Sequence, residues 1–263
     1  MIRVPQKPIF PFKGSLDKLE ASGKSVLVTG PVLAQRSILE QCVKNYLIQR
    51  RRLEALEPFS FAVNIDSELI SCYEGMPTAL RYELDFVHSK VLTKLHKCLY
   101  CFISEPDSRD HYLPISEFPE FAFYIYNLIP CCSTCNRKKG KYWISGGVRL
   151  FVNPYFDLFQ SDIFDATVSL KNLDVTYRVK GEAATNTVNS HVERLGLLSR
   201  YERQASTLVA RLVELLSVDP SLNEQAVFKS EMLKEYNLSL KVHGGNYYET
   251  VFYKYLMTEG HDL

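Results

Sequence analysis

Apolar residues recur at steps of three and four positions over two N-terminal stretches, 33–56 and about 77–96. This spacing places the apolar side chains on one face of an α-helix. Residues 1–32 lack the period, and a short apolar run at 25–29 predicts a single strand. The region 1–96 is therefore expected to be mainly helical.

A different pattern begins after the middle of the chain. Residues 148–157 predict a strand followed by a turn, and residues 165–180 alternate apolar and polar positions around Lys171-Asn172, which predicts a β-hairpin. Helical spacing then returns, most strongly over 190–216 and again over 221–237 and 245–258. The region 158–263 is expected to be a β-hairpin followed by a C-terminal helical region.

The balance of charged residues limits how this chain can bind nucleic acid. Its 31 Lys and Arg residues nearly balance 30 Asp and Glu residues, which gives a formal net charge of +1. A protein that grips nucleic acid along its own length is usually more basic, because phosphate neutralisation supplies most of the nonspecific affinity. If the substrate is nucleic acid, the positive charge that binds it must be concentrated at one site, or a partner subunit must bind it.

The cellular compartment is expected to be the cytoplasm. The N-terminus, MIRVPQKPIFPFKG, has no apolar run of signal-peptide length, and no stretch of the sequence reaches the roughly 18 uninterrupted apolar residues that span a membrane. No membrane partner is expected. Cytosolic thiols stay reduced, so the seven cysteines are not expected to form disulfides.

Five of the seven cysteines cluster between Cys98 and Cys135. They include two clips, Cys98-x-x-Cys101 and Cys132-x-x-Cys135. Two such clips supply the four thiolates of a tetrahedral structural Zn²⁺ site, and a pair of clips is a much stronger signal than one. Cys131 fits the second clip less well, and it is expected to be a buried apolar residue, as are Cys42 and Cys72.

Residues suited to phosphodiester hydrolysis lie in and just after the segment between the clips. The reaction needs a base for the attacking water, stabilisation of developing charge and donors that hold the phosphate. Asp110-His111 and Asn127 precede the second clip, and Asn136 with the basic run 137–141 follows it. Each alone has an ordinary structural explanation, such as a turn residue, a helix cap or a solvated face. Their fixed order within a zinc clip favours a catalytic site.

This order resembles the zinc-containing subgroup of the HNH endonuclease family. The matching motifs are Cys-x-x-Cys, Asp-His-x-x-Pro and Asn-Leu-x-Pro-x-Cys-x-x-Cys-Asn-x-x-Lys-Gly. The resemblance implies an α+β fold with a central ββα-metal HNH unit and a four-cysteine zinc knuckle. It places the nuclease domain at 97–157, flanked by the helical regions and the β-hairpin.

The resemblance also implies a role for each motif residue. His111 would be the general base, since a histidine is largely neutral at cytosolic pH. Asp110 and Asn136 would ligate a catalytic Mg²⁺ or Mn²⁺, and Asn127 would tie down the loop that aims His111. Five basic residues are expected to contact substrate phosphates, with Lys139 on the same helix face as Asn136. They are Arg109, Arg137, Lys138, Lys139 and Lys141.

The amino-acid sequence of the loop is similar to the HNH component of Septu-type anti-phage systems, including those attached to retrons. The similar stretch is DHYLPISEFPEFAFYIYNLIPCCSTCN, with FVNPYFD after it. That resemblance implies an ABC-type ATPase partner and a DNA or RNA substrate. The expected function is a metal-dependent HNH endonuclease that acts as the effector of a defence complex. Two alternatives stay open: a catalytically inactive, zinc-stabilised binding or scaffold module, and a stand-alone nuclease.

Overall fold

The computed structural model describes residues 12–92, 96–157 and 162–263 and shows an α+β chain with small two-stranded antiparallel sheets. The α+β prediction is confirmed. The described residues form two compact units. The N-terminal unit contains residues 12–92, 96–99 and Glu105–Asp157, and the C-terminal unit contains Tyr100–Ser104 and residues 162–263. The division at 1–96, 97–157 and 158–263 stays a prediction.

Five helices open the N-terminal unit: α1 Phe12–Glu20, α2 Val26–Ala34, α3 Arg36–Gln49, α4 Asp66–Glu74 and α5 Thr78–Leu92. Helix α1 contacts α2, α3 and α5, and α2 contacts α4. The apolar period predicted over 33–56 corresponds to α3, which buries Leu39, Val43 and Tyr46. The buried Tyr46 hydroxyl donates a hydrogen bond to the Tyr126 carbonyl at 3.1 Å. Helix α3 therefore covers the segment that carries the candidate site.

The strand predicted at 25–29 is wrong, because these residues open α2. Short apolar runs do not distinguish a strand from a helix by period alone. Here Thr29 and Val32 are buried in a helix that contacts α4, while Val26 and Leu27 remain exposed. Tertiary packing therefore overrides the β preference of this run. Residues 1–11 and 93–95, which the other N-terminal predictions also cover, lie outside the described residues.

Two strands and a helix follow in the N-terminal unit. Strand β1 Ser108–His111 pairs antiparallel with β2 Leu128–Cys131, so that Asp110 lies opposite Ile129 and His111 opposite Leu128. Helix α6 Ser133–Lys139 contacts β1.

The segment between β1 and β2 is rich in buried aromatic side chains. Their rings pack on the helices, with Phe12 stacked on Phe123 at 5.4 Å and Tyr46 edge-on to Phe121 at 5.0 Å between centroids. The buried aromatic residues of this segment are Tyr112, Phe118, Phe121, Phe123, Tyr124 and Tyr126. The segment thus fixes the spacing of β1 and β2 against α1 and α3.

A short hairpin, β3 Ile144–Ser145 and β4 Val148–Arg149, closes the unit. Of the strand and turn predicted over 148–157, the strand is confirmed only for its first two residues, and the turn is confirmed at 154–156. The chain then bends because the Asp157 carboxylate accepts hydrogen bonds from the Arg149 guanidinium and from the Asn153 amide. This ion pair, with Arg149 also facing Glu54, holds residues 150–157 in a compact turn.

The C-terminal unit contains the predicted hairpin, β5 Phe164–Ser169 and β6 Asp174–Val179. Four helices follow: α7 Asn186–Leu195, α8 Leu197–Val218, α9 Gln225–His243 and α10 Tyr248–Glu259. The hairpin packs on α8 and α10, and α9 packs on α10. The helix predicted over 190–216 is two helices, because Gly196 adopts a left-handed conformation with φ 61°. Among the described helices, none has the length and apolar character needed to cross a bilayer.

Candidate metal centre and active site

The four clip cysteines come together in the structure. Cys98 and Cys101 lie at the ends of a turn, Cys132 immediately precedes α6, and Cys135 lies in the first turn of that helix. All four are buried, and their sulfur atoms lie within 4.8 Å of one another. Tetrahedral zinc with Zn–S bonds of about 2.3 Å brings its sulfur ligands to about 3.8 Å apart. The four cysteines can therefore bind a metal such as zinc, as the paired clips predict.

The turn that carries Cys101 is held by three side chains of the C-terminal unit. The Arg200 guanidinium donates to the Cys101 sulfur at 3.2 Å, and the Tyr201 hydroxyl donates to the Cys101 carbonyl at 3.2 Å. Nε2 of the buried His191 donates to the Tyr100 carbonyl at 3.1 Å, and burial lowers the pKa of His191 to about 4. A guanidinium beside sulfur favours the thiolate, which is the form that binds metal. No local motif in the sequence identifies these three residues.

The other cysteines differ chemically from this cluster. Burial raises the pKa of the Cys131 and Cys42 thiols to about 12, and it also raises the pKa of Cys72. All three are buried free thiols. Their burial confirms the prediction that they are core residues, and a high pKa keeps these thiols protonated.

His111 is the last residue of β1, and its ring is fixed by one hydrogen bond. Nε2 lies 2.8 Å from the Ala122 carbonyl oxygen. A carbonyl only accepts, so Nε2 carries the proton and Nδ1 keeps its lone pair. Nδ1 makes no hydrogen bond to the described residues, and the Tyr73 ring lies edge-on at 4.5 Å between centroids. Burial lowers the pKa of His111 to about 4, so the ring is neutral at neutral pH.

Asp110 is buried, with 4% of its side chain exposed, and it faces a buried cation. The Lys139 ammonium at the end of α6 lies 3.1 and 3.0 Å from the two carboxylate oxygens. It also donates to the His111 carbonyl at 2.8 Å. Lys139 itself is fully buried and faces Asp110 in this arrangement, and its contact with a substrate phosphate stays a prediction. It faces Asp110 because a buried carboxylate requires a counter-ion.

Asn127 immediately precedes β2 and ties down the loop between the strands. Its fully buried side chain accepts from the Leu113 amide at 2.8 Å and donates to the Leu113 carbonyl at 3.1 Å. Its side-chain nitrogen also donates to the Phe121 carbonyl at 3.4 Å. Asn127 thereby ties Leu113 and Phe121 of the loop next to His111 to the start of β2.

The remaining predicted residues lie at or near the surface. The half-exposed Asn136 side chain donates to the Arg109 carbonyl at 3.5 Å, and the Arg109 guanidinium forms an ion pair with Asp85. The Asp107 carboxylate accepts from the Ser133 amide at 2.6 Å and so caps α6. Three predicted phosphate contacts are exposed, namely Arg137, Lys138 and Lys141. Asp85 and Asp107 were not singled out in the sequence, because their contacts exist only in the folded chain.

One of the two expected ligands of a catalytic divalent ion, Asp110, is not available to such an ion as arranged. The Asp110 carboxylate is engaged by the Lys139 ammonium, whereas the Asn136 side-chain nitrogen donates to the Arg109 carbonyl and leaves Oδ1 available. Mg²⁺ and Mn²⁺ take several oxygen ligands in a compact shell. Among the described residues, the cysteine cluster is the one group of His, Cys, Asp and Glu side chains placed to hold a metal.

Comparison with known proteins adds one partial likeness. A stretch of 70 residues is 39% identical to Protein ea31 of Escherichia phage lambda. The match covers 26% of this chain and 23% of the phage protein, so the chain spans about a quarter of that relative's length. No protein-family model and no solved structure matches the chain.

Proposed function

We propose that this chain is an HNH-type endonuclease that hydrolyses phosphodiester bonds in nucleic acid. The observation that carries the proposal is the state of His111, whose Nε2 is fixed on the Ala122 carbonyl so that Nδ1 is left as a proton acceptor. The order of motifs on two antiparallel strands followed by α6 supports the same family.

The reaction then follows from the residues of this chain. His111 Nδ1 removes a proton from a water molecule that attacks the phosphorus atom, one ester P–O bond breaks, and the departing oxygen takes a proton from solvent to give an alcohol and a phosphate monoester. Asn127 keeps the loop beside His111 in place, so the imidazole does not reorient when it becomes protonated. The exposed Arg137, Lys138 and Lys141 hold the flanking phosphates. Zinc at the four cysteines supplies structural support at the start of α6.

A partner is part of the proposal. The formal net charge of +1 leaves little general attraction for a polyanion. We infer that an ABC-type ATPase holds or gates the DNA or RNA, and that the chain is the effector nuclease of a bacterial anti-phage complex of the Septu or retron-associated kind. The phage likeness is compatible with this inference but carries no weight in it.

The pairing of Asp110 with Lys139 favours a second candidate function. A site whose expected metal ligand is buried and neutralised also suits a zinc-stabilised scaffold that performs no chemistry. The two candidates differ in what they require of His111, since only a nuclease needs its free ring nitrogen.

The deciding experiment compares wild type, His111→Ala and His96→Ala on a panel of DNA and RNA with Mg²⁺ or Mn²⁺, with and without co-purifying ATPase. His111→Ala should lower the cleavage rate by about 10²–10⁴-fold, because that is the usual contribution of a general base. The exposed His96 provides the matched control and should change nothing. Equal cleavage by all three proteins, or none by any, with zinc and fold intact, would support the scaffold instead.

A further inference from the structure

The Lys139 ammonium sits in a shell of oxygen atoms that resembles a cation site. Both Asp110 oxygens lie within 3.1 Å, the His111 carbonyl oxygen lies at 2.8 Å and the Gly140 carbonyl oxygen at 3.5 Å. The Tyr112 and Phe151 rings lie with their centroids 6.0 Å from the nitrogen. Three ammonium protons meet a carboxylate and two carbonyls, so every donor has an acceptor.

A second cation has no room beside this ammonium. A divalent ion bound to Asp110 would lie about 2.0–2.2 Å from a carboxylate oxygen. The lysine nitrogen lies within 3.1 Å of both oxygens of the same carboxylate. Two like charges a few ångströms apart in a buried site repel strongly, so occupancy by one cation excludes the other.

We propose that the Lys139 ammonium is the resident cation of this site, and that a divalent ion must compete with it for the Asp110 carboxylate. Divalent-ion binding then requires the Lys139 side chain to leave its oxygen shell. The meaning of this competition for catalysis rests on the proposed nuclease function, but the competition itself can be measured without substrate.

The test measures Mn²⁺ binding to the zinc-loaded full chain. The electron paramagnetic resonance signal of free Mn²⁺ is the readout. Lys139→Met should bind Mn²⁺ about tenfold or more tightly than wild type, because the competing charge is gone. Lys138→Met is the matched control, since Lys138 is the exposed neighbour on the same helix and should leave the affinity unchanged. Equal or weaker Mn²⁺ binding by Lys139→Met than by wild type would overturn the proposal.

Lys139→Met leaves the buried Asp110 without its counter-ion, so this variant can unfold when no divalent ion is bound at Asp110. In that case the same Mn²⁺ titration is monitored by circular dichroism. Mn²⁺ should restore the folded signal because it binds only the folded chain. No recovery at any Mn²⁺ concentration would refute the competition. The double variant Asp110→Asn/Lys139→Met removes both charges and should fold without responding to Mn²⁺. Because no nucleic acid is present, an inactive nuclease would not affect either result.

Discussion

At the scale of single residues, burial determines the charge state of the groups around the site. The side chain of Glu120 is 1% exposed in a turn that contacts α3 and α4, and burial raises its pKa to about 7. One carboxyl oxygen accepts from the Phe59 amide at 3.0 Å, and the other has no hydrogen-bond partner among the described residues. Glu120 lies two residues before Ala122, whose carbonyl fixes His111. A carboxyl in this environment favours its protonated form.

Glu120 is therefore expected to make stability depend on pH. Its folded-state pKa lies above the ordinary glutamate value of 4.5, so its stabilising contribution is full below about pH 4.5 and is lost as the pH rises through about 7. Glu120→Gln should be more stable than wild type at pH 8 by up to about 3 kcal/mol, and about equal to it near pH 4.5. Urea unfolding across this range measures the difference.

Glu120→Gln must be compared with wild type at each pH, because titration of His111 and His191 changes the stability of both proteins in the opposite direction. Their lowered pKa values favour the neutral ring, so their contribution falls as the pH drops from 6.5 toward 4. Glu74→Gln, a change of an exposed carboxylate on α4, is the control and should track wild type. A pH-independent difference for Glu120→Gln would contradict the raised pKa.

At the scale of elements, α6 joins the cysteine cluster to the ion pair. Cys132 and Cys135 stand at its start, and Lys139 is its last residue. Cys131 and Cys132 are adjacent and both buried, but only Cys132 belongs to the cluster. Substituting each in turn therefore distinguishes the effect of metal binding from the effect of burial alone.

Cys132→Ser is expected to lose the metal and to unfold the β1–β2–α6 region, because structural zinc binding is coupled to folding. Cys131→Ser should keep one zinc per chain and lose about 1–3 kcal/mol of stability, as a buried polar substitution does. Zinc released per chain and the thermal midpoint of unfolding measure the two effects. Equal zinc content in the two variants would show that the cluster is not the metal site.

Some of these elements could be predicted from the sequence, and others could not. The hairpin at 165–180 and the four-cysteine cluster were predictable because alternation and paired clips are local signals. The run at 25–29 was not, since its conformation is set by packing on α4. The contact of Lys139 with Asp110 was also not predicted, because helix spacing shows which residues share a face but not which buried carboxylate that face meets. The partners of Cys101 are about a hundred positions away and leave no pattern in the sequence.

At the scale of the whole molecule, the near balance of charge limits binding to nucleic acid. The proposed phosphate contacts that the structure leaves exposed are Arg137, Lys138 and Lys141. A chain with so few cations at its site is expected to depend on a partner for affinity, whatever the chemistry of His111.

Salt dependence provides the measurement. If three cations contact phosphates, log Kobs for duplex DNA should fall with log salt at a slope of about −3. Replacing Arg137, Lys138 and Lys141 by alanine should remove most of that slope. The control triple replaces three exposed cations of the C-terminal unit, namely Lys171, Arg203 and Arg211. A slope that falls equally in both triples would mean that binding is diffuse and that the three residues form no interface.

Helix α6 has one more consequence, which concerns oxidation. Its seven residues are too few to form a stable helix in isolation, so its persistence depends on the cysteines at its start. An oxidant that converts these thiolates to disulfides or sulfenic acids would expel the metal and release the helix. Asp110 would then lose the ammonium at the other end of the same helix. We therefore expect oxidation of the cluster to unfold this region, and reduction in the presence of zinc to restore it.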